Sequence, residues 1–342
     1  MNRTEFSPYL EQAQNGKALT VDEAGRAFAA IMSGKVADDD LANFLTALAK
    51  RGAAISEIVG AARAMRAEMR TIKAPANAID LCGTGGDGHG TFNISTATAF
   101  VVAGCGVPVA KHGNRSASSR SGTADVLEHL GVKIDMTPAN AETCLGETNF
   151  CFLFAPHYHT AMKHVAAVRK QLGIRTIFNL LGPLSNPAGV KRQLMGVFAA
   201  DFIAPLAEVL KELGSEKAWL VHGDDGLDEL TTTTTTHVAI LEAGKVTARD
   251  VTPEEIGLAR VPLSAIKGGD TPENALALRR LLDGEKGPFR DIVILNAAAA
   301  LIVADKAANL KDGSALAAET LDSGVAKDVL ARVVALSQKA AS

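Results

Sequence analysis

Five of the eight residues from position 83 to 90 are glycine, in the run Gly83-Thr84-Gly85-Gly86-Asp87-Gly88-His89-Gly90. Without a Cβ, such a loop turns backbone N–H groups toward a ligand, and Thr91, Asn93, Ser95 and Thr96 follow with neutral donors at an expected helix start. This combination suits a phosphate or pyrophosphate. The spacing is not the G-x-G-x-x-G of a dinucleotide site, and no Gly-Lys-Ser/Thr follows as in a P-loop. A purely structural turn is the plainer alternative. A second run, residues 111–122, holds Lys111, His112, Arg115 and Arg120 with four serines and no acid, a composition able to fold over a polyanion. The third is acidic, from His222 to Asp228-Glu229. Carboxylates facing two phosphate loops need a hard cation between them, and Mg²⁺ takes one or two carboxylates, waters and phosphate oxygens. A solvated acidic turn is its plain alternative. The fourth contains His157, Tyr158, His159, His164, Arg169 and Arg175. Zinc is disfavoured, because no cysteine is adjacent and histidine spacings of two and five match no common zinc motif. A second-substrate pocket, with Arg169 as bidentate partner of a carboxylate, competes here with a basic surface helix.

These residues need elements to hold them. Residues 1–70 show no strand pattern. A capping box at Thr20 and Glu23 opens one helix, Asp38, Asp39 and Asp40 open a second, and residues 56–69 suit a third. From residue 76 the pattern becomes strand–helix alternation. Strands are expected at 78–82, 107–110, 150–154, 195–198 and 218–221, with helices at 95–104, 123–130 and 202–213. A hairpin is expected over 238–252, helices over 271–282 and 315–336, loops over 111–122, and an extended loop over the six threonines 231–236. The fold class is therefore α/β: a small helical domain plus a larger domain with a mostly parallel sheet flanked by helices. The division expected is 1–72 for the helical domain, with a contribution from about 163–187, and 76–342 for the α/β domain.

The chain has 342 residues, 47% hydrophobic and 21% charged, so it can bury a sizeable core. A net charge of -3 and an aromatic content of 4% argue against a broad nucleic-acid surface, while leaving room for a local basic cleft. The longest apolar stretches, near 97–110 and 292–304, are interrupted and too short for a membrane span. The N-terminus lacks a signal-peptide profile, and Cys82, Cys105, Cys144 and Cys151 form no C-x-x-C pair. A cytoplasmic protein with reduced thiols is expected.

The ordered set Gly83-Thr84-Gly85-Gly86-Asp87, Asn93-Ile94-Ser95-Thr96, Lys111-His112-Gly113-Asn114-Arg115, Ser121-Gly122-Thr123-Ala124-Asp125, the run 175–187 and Asp228-Glu229 resembles the anthranilate phosphoribosyltransferase family. The resemblance implies transfer of the phosphoribosyl group from phosphoribosyl pyrophosphate to anthranilate with Mg²⁺, in tryptophan biosynthesis, by a homodimer joined through the helical part. It implies donor contacts from Gly83, Gly86, Asp87, Thr91, Asn93, Ser95, Thr96, Lys111, Asn114, Ser119 and Thr123. Anthranilate contacts would come from Gly83, Asn114 and Arg169, with His112 and His159 as pocket walls. Ser95, Asp228 and Glu229 would hold the metal, and Lys111, Asn114, Asp228 and Glu229 would be catalytic. The chain departs from the family at 231–236, where a Gly-Pro is usual, and at Arg120, where lysine is usual. A pyrimidine nucleoside phosphorylase would carry a Lys-x-Ser-x-Gly-Gly-x-x-Asp run, which is missing. A nucleic-acid-binding relative of the same fold would be expected to lose these loops.

Overall fold

The computed structural model describes residues 3–116 and 120–339. Four helices come first: α1 (Arg3–Gln14), α2 (Val21–Met32), α3 (Asp38–Arg51) and α4 (Ile55–Glu68). The Thr20 capping box is formed in both directions, with Glu23 N–H on Thr20 Oγ1 at 3.3 Å and Thr20 N–H on Glu23 Oε2 at 2.8 Å. Asp38, Asp39 and Asp40 occupy the first turn of α3, and Lys50 and Arg51 its last, matching the helix dipole at both ends.

The remainder alternates as expected. It runs β1 (Ile79–Gly83), α5 (Ile94–Gly104), β2 (Val109–Gly113), α6 (Thr123–His129), α7 (Pro138–Thr148), β3 (Phe150–Phe154), the short α8 (Ala155–Tyr158), α9 (Lys163–Leu172), α10 (Phe178–Leu181) and β4 (Arg192–Gly196). Then come α11 (Ile203–Glu212), β5 (Lys217–Gly223), the hairpin β6 (Thr236–Glu242) and β7 (Lys245–Val251), and α12 (Thr271–Leu282), α13 (Pro288–Val303), α14 (Leu310–Asp322) and α15 (Val325–Lys339). The strands form one sheet in the order β3-β2-β1-β4-β5-β6-β7, parallel from β3 to β5 and antiparallel beyond.

Several expectations are corrected. Residues 111–113 are not loop but the end of β2, paired with 152–154 of β3. The threonine run is bent rather than extended, because the Thr231 hydroxyl donates to Asp225 Oδ2 at 2.7 Å and the Thr233 hydroxyl bonds the same oxygen. The helix expected over 315–336 is two helices, broken where Gly324 adopts φ +77°. Helices α1, α7 and α13 had no expectation at all; α13 is apolar all round, so it lacks the one-sided periodicity that marks an amphipathic helix.

Two cores flank the sheet, and strand alternation sorts side chains between them. Ile79, Leu81, Leu194, Trp219 and Val221 pack with α5, α13 and α15. Met195, Val197, Ala218, Leu220 and Leu241 instead join a cluster with Phe28, Phe44 and Ile58 of the helical bundle, Val165 and Val168 of α9, and Phe178 of α10.

Candidate active site

Strands β1 and β4 are neighbours, but the chain proceeds from β1 toward β2 and from β4 toward β5. Their carboxyl ends therefore open a crevice at the point where strand order reverses. Gly83 and Gly196 are paired there in register. A Cβ on Gly196 would lie 1.7 Å from the Asp228 carbonyl oxygen, and one on Gly83 2.6 Å from Asp228 Oδ2. At Gly196 only glycine lets the acidic segment cross the crevice, whereas a side chain at Gly83 would displace the Asp228 carboxylate. Asp228 Oδ2 accepts the Gly85 N–H at 3.0 Å, and Glu229 Oε1 accepts the Ser95 N–H at 3.1 Å, at the start of α5. Amides read from the sequence as phosphate donors are thus held by carboxylates. Asn296, fully buried in α13, fixes the same segment: its Oδ1 accepts the Leu230 N–H at 3.0 Å and its Nδ2 donates to Leu230 O at 2.8 Å. Asn296 was missed, although a lone amide in an apolar run was a legible signal.

Lys111 is buried beneath this crevice rather than exposed in a loop. Its Nζ donates to the Leu81 carbonyl and to Ser95 Oγ, the latter at 3.2 Å. Burial pushes its pKa down, and the same desolvation pushes neighbouring Asp80 up. Asp80 Oδ1 accepts the His112 N–H at 3.1 Å, so one buried carboxylate positions the end of β2. Asp228 and Glu229 are both half-buried, and desolvation raises them well above the usual carboxylate range. The Asp87 charge adds to the effect at Asp228, and the Asp228 charge to that at Glu229. Among the described residues no three His, Cys, Asp or Glu side chains converge to hold a metal by themselves. Two crowded carboxylates and the Ser95 hydroxyl are an all-oxygen set that suits a hard divalent cation completing its shell with water or phosphate oxygens.

His112 and His159 meet on the other side. Their Nε2 atoms lie 3.2 Å apart, and His112 Nδ1 is 3.1 Å from the Gly182 carbonyl. Burial lowers His112 to about 3 and His159 to about 4, so both rings are neutral. Gly182 follows α10 directly, and Phe178 on α10 carries the Arg169 guanidinium at 5.4 Å from its ring centroid. Arg169 makes no ion pair with a described carboxylate, and burial lowers its pKa. Arg175, also unassigned by the sequence beyond its cluster, stacks on Phe198 at 4.0 Å and donates to the Gly86 carbonyl. The segment from α9 to residue 186 thereby touches both the glycine loop and the end of β2.

The remaining predicted residues scatter around the crevice. Thr96 is buried, its hydroxyl 3.2 Å from that of Thr123. Asn93 accepts from Asn274 Nδ2 at 2.9 Å, and Thr91 forms an isolated bridge with Lys267. Gly83, Gly86 and Asn114 are exposed; Asn114 Oδ1 accepts the Arg115 N–H at 2.8 Å. Arg115 does not present free charge, because it pairs with Asp125 at 2.7 Å and Glu128 at 2.5 Å on α6. Arg120 reaches the Gly268 carbonyl at 3.3 Å. Ser119, expected to touch the donor, lies outside the described residues.

Two family models match the chain: "Glycosyl transferase family, helical bundle domain" over residues 7–69, and "Glycosyl transferase family, a/b domain" over 75–327. An anthranilate phosphoribosyltransferase of Parvibaculum lavamentivorans is 56% identical over 332 residues, covering 97% of each chain. One from Rhodopseudomonas palustris is 53% identical over 336 residues, covering 98% of this chain and 99% of the relative. The crystal structure of the Thermus thermophilus enzyme superposes with a TM-score of 0.91 at 47% identity, over 96% of this chain and 99% of that one. The Saccharomyces cerevisiae enzyme, solved in complex with PRPP and Mg, gives 0.91 at 27% identity, with 99% of each chain covered. Matched by both domain models and by relatives over nearly its whole length, the chain belongs to the glycosyl transferase family and, within it, to the anthranilate phosphoribosyltransferases.

Proposed function

We propose that this chain transfers the 5-phosphoribosyl group from phosphoribosyl pyrophosphate to the amine of anthranilate, releasing pyrophosphate. The observation that carries this reading is the crevice between β1 and β4, where glycines, two carboxylates and the buried Lys111 converge. The ribose C1′–oxygen bond breaks as pyrophosphate leaves, and the anthranilate nitrogen captures the oxocarbenium-like carbon. The amine proton becomes acidic only after attack, so positioning and charge neutralisation are the main demands on the protein.

Gly83, Gly86, Asp87, Thr91, Asn93, Ser95, Thr96, Asn114, Ser119 and Thr123 are proposed around the donor, with Thr96 acting through Thr123. Lys111 supplies positive charge beneath it through Ser95. Asp228, Glu229 and the Ser95 hydroxyl would hold Mg²⁺, which when bound neutralises the leaving pyrophosphate. Gly83, Asn114, Arg169, His112 and His159 form the acceptor side, where Arg169 pairs with the anthranilate carboxylate and the neutral histidines make a wall of low charge. We place the domain boundary between residues 72 and 76, which the separate matches to 7–69 and 75–327 support. A cytoplasmic homodimer joined through the helical bundle is proposed on the family likeness.

The test is loss of anthranilate fluorescence in the presence of phosphoribosyl pyrophosphate and Mg²⁺. Consumption dependent on both supports the reading; folded protein that consumes none overturns it.

A further inference from the structure

Three consecutive carbonyls in the turn after α10 are each held by a side chain from a different element. Gly182 O faces His112 Nδ1 of β2 at 3.1 Å. Pro183 O accepts from Gln193 Nε2 of β4 at 2.8 Å, and Leu184 O accepts from Arg66 Nε of α4 at 2.7 Å. Asn186 adds a fourth tie, donating to Ala110 O at 2.8 Å. Backbone that carries no regular ladder thus has these carbonyls satisfied by side chains of the helical bundle and the sheet.

Arg66 is the unusual member. It is half-buried, pairs with no described carboxylate, and a second donor, Nη1, reaches Leu213 O at the end of α11 at 3.2 Å. Burial alone lowers its pKa. A guanidinium fork can serve two carbonyls in different directions, which an ammonium cannot do with the same geometry. Its neighbour Arg63, one turn earlier on α4, also reaches the end of α11, at Glu212 O and 3.3 Å, but makes no hydrogen bond to the described residues of the turn. The two arginines therefore share the α11 contact and differ in the turn.

We infer that Arg66 is a positioning residue for the acceptor half of the active site: through the Leu184 carbonyl it fixes the turn on which His112 docks and from which α10 presents the Phe178 platform of Arg169. The inference rests on the phosphoribosyl-transfer reading given above. The donor half has anchors of its own in the Gly83–Gly196 pair, the α5 start and Asn296, and its one described link to this segment, Arg175 on Gly86, lies ahead of α10 rather than in the turn. Loss of Arg66 should thus be felt mainly at the acceptor.

The experiment compares steady-state kinetics of the full chain as wild type, Arg66→Met, Arg66→Lys and Arg63→Ala, with melting temperatures recorded alongside. Arg66→Met is expected to raise the KM for anthranilate about tenfold and leave that for phosphoribosyl pyrophosphate within about twofold. Arg66→Lys should fall between it and wild type. Arg63→Ala should leave both KM values within about twofold even if its melting temperature falls, because it weakens only the α11 contact. Unchanged anthranilate KM in the Arg66 variants, equal rises for both substrates, or the same split in Arg63→Ala each overturn the inference. Should Arg66→Met fail to fold, Arg66→Lys decides by the same criteria. An inactive wild type would instead remove the functional reading on which the inference stands.

Discussion

Arg169 illustrates how a residue's meaning depends on what it lacks. It lies against Phe178, partly desolvated, with no described carboxylate to pair with. A cation so placed is ready for an anionic ligand. Arg169→Ala should raise the anthranilate KM by about 10- to 100-fold, the range for a charge-assisted bond, with much less change for the donor. Equal effects in a two-substrate titration would take Arg169 out of this role. Asp228 and Glu229 present the opposite problem, two acids crowded beyond what burial favours. Their pKa values are raised, so between about pH 5 and pH 8 this pair, without metal, binds more protons in the folded chain than in the unfolded one. The pair's contribution to stability therefore declines as pH rises through that window. Mg²⁺ should raise the melting temperature more at pH 8, where the pair is more ionised, than at pH 6. Asp228→Asn combined with Glu229→Gln should abolish the difference, and a Mg²⁺ shift that persists in this double variant would place the metal elsewhere.

At the scale of elements, the acidic segment is precise because a helix from another part of the chain holds it. Asn296→Leu leaves the Leu230 N–H and C=O without their partners, at a cost of about 2 kcal/mol, and frees the two carboxylates that precede them. Chemical denaturation should register the loss, and the Mg²⁺ concentration for half-maximal activity should rise. Unchanged Mg²⁺ dependence would make Asn296 purely structural. Gly196→Ala tests the crevice itself: with the Asp228 carbonyl at 1.7 Å from the new Cβ, the segment has to move. Donor KM should rise sharply while secondary structure by circular dichroism stays close to wild type; native donor kinetics would show that the segment can shift without consequence.

Over the whole molecule, the sheet is shared property. One face packs on α5, α13 and α15, and the other is continuous with the helical bundle. A boundary near residue 70 is clear in the sequence, but it does not separate two independent cores. Unfolding should therefore be one cooperative transition. Melting followed by far-ultraviolet circular dichroism and by fluorescence of Trp219, the single tryptophan and a member of the sheet's first core, should coincide. Two resolved transitions would mean that the bundle melts alone.

The sequence by itself determined the class of fold, the order of strands along the chain and the four clusters of chemistry. These are local properties, written in periodicity, glycine spacing and charge sign. It placed Ser95 at a helix start, Asp228 and Glu229 in the turn after a strand, and Arg169 in a helix, as the structure has them. It misread Lys111 as loop, because strand length depends on partners such as Phe152 that are distant in sequence, and it did not show that Arg115 is paired with Asp125 and Glu128 on the next helix. Only the tertiary structure decided that carboxylates occupy the Gly85 and Ser95 amides, that Asn296 clamps their segment, and that Arg66 reaches the turn beneath His112. These contacts join residues 66 to 143 positions apart, and spacing along a chain carries no record of where such partners meet.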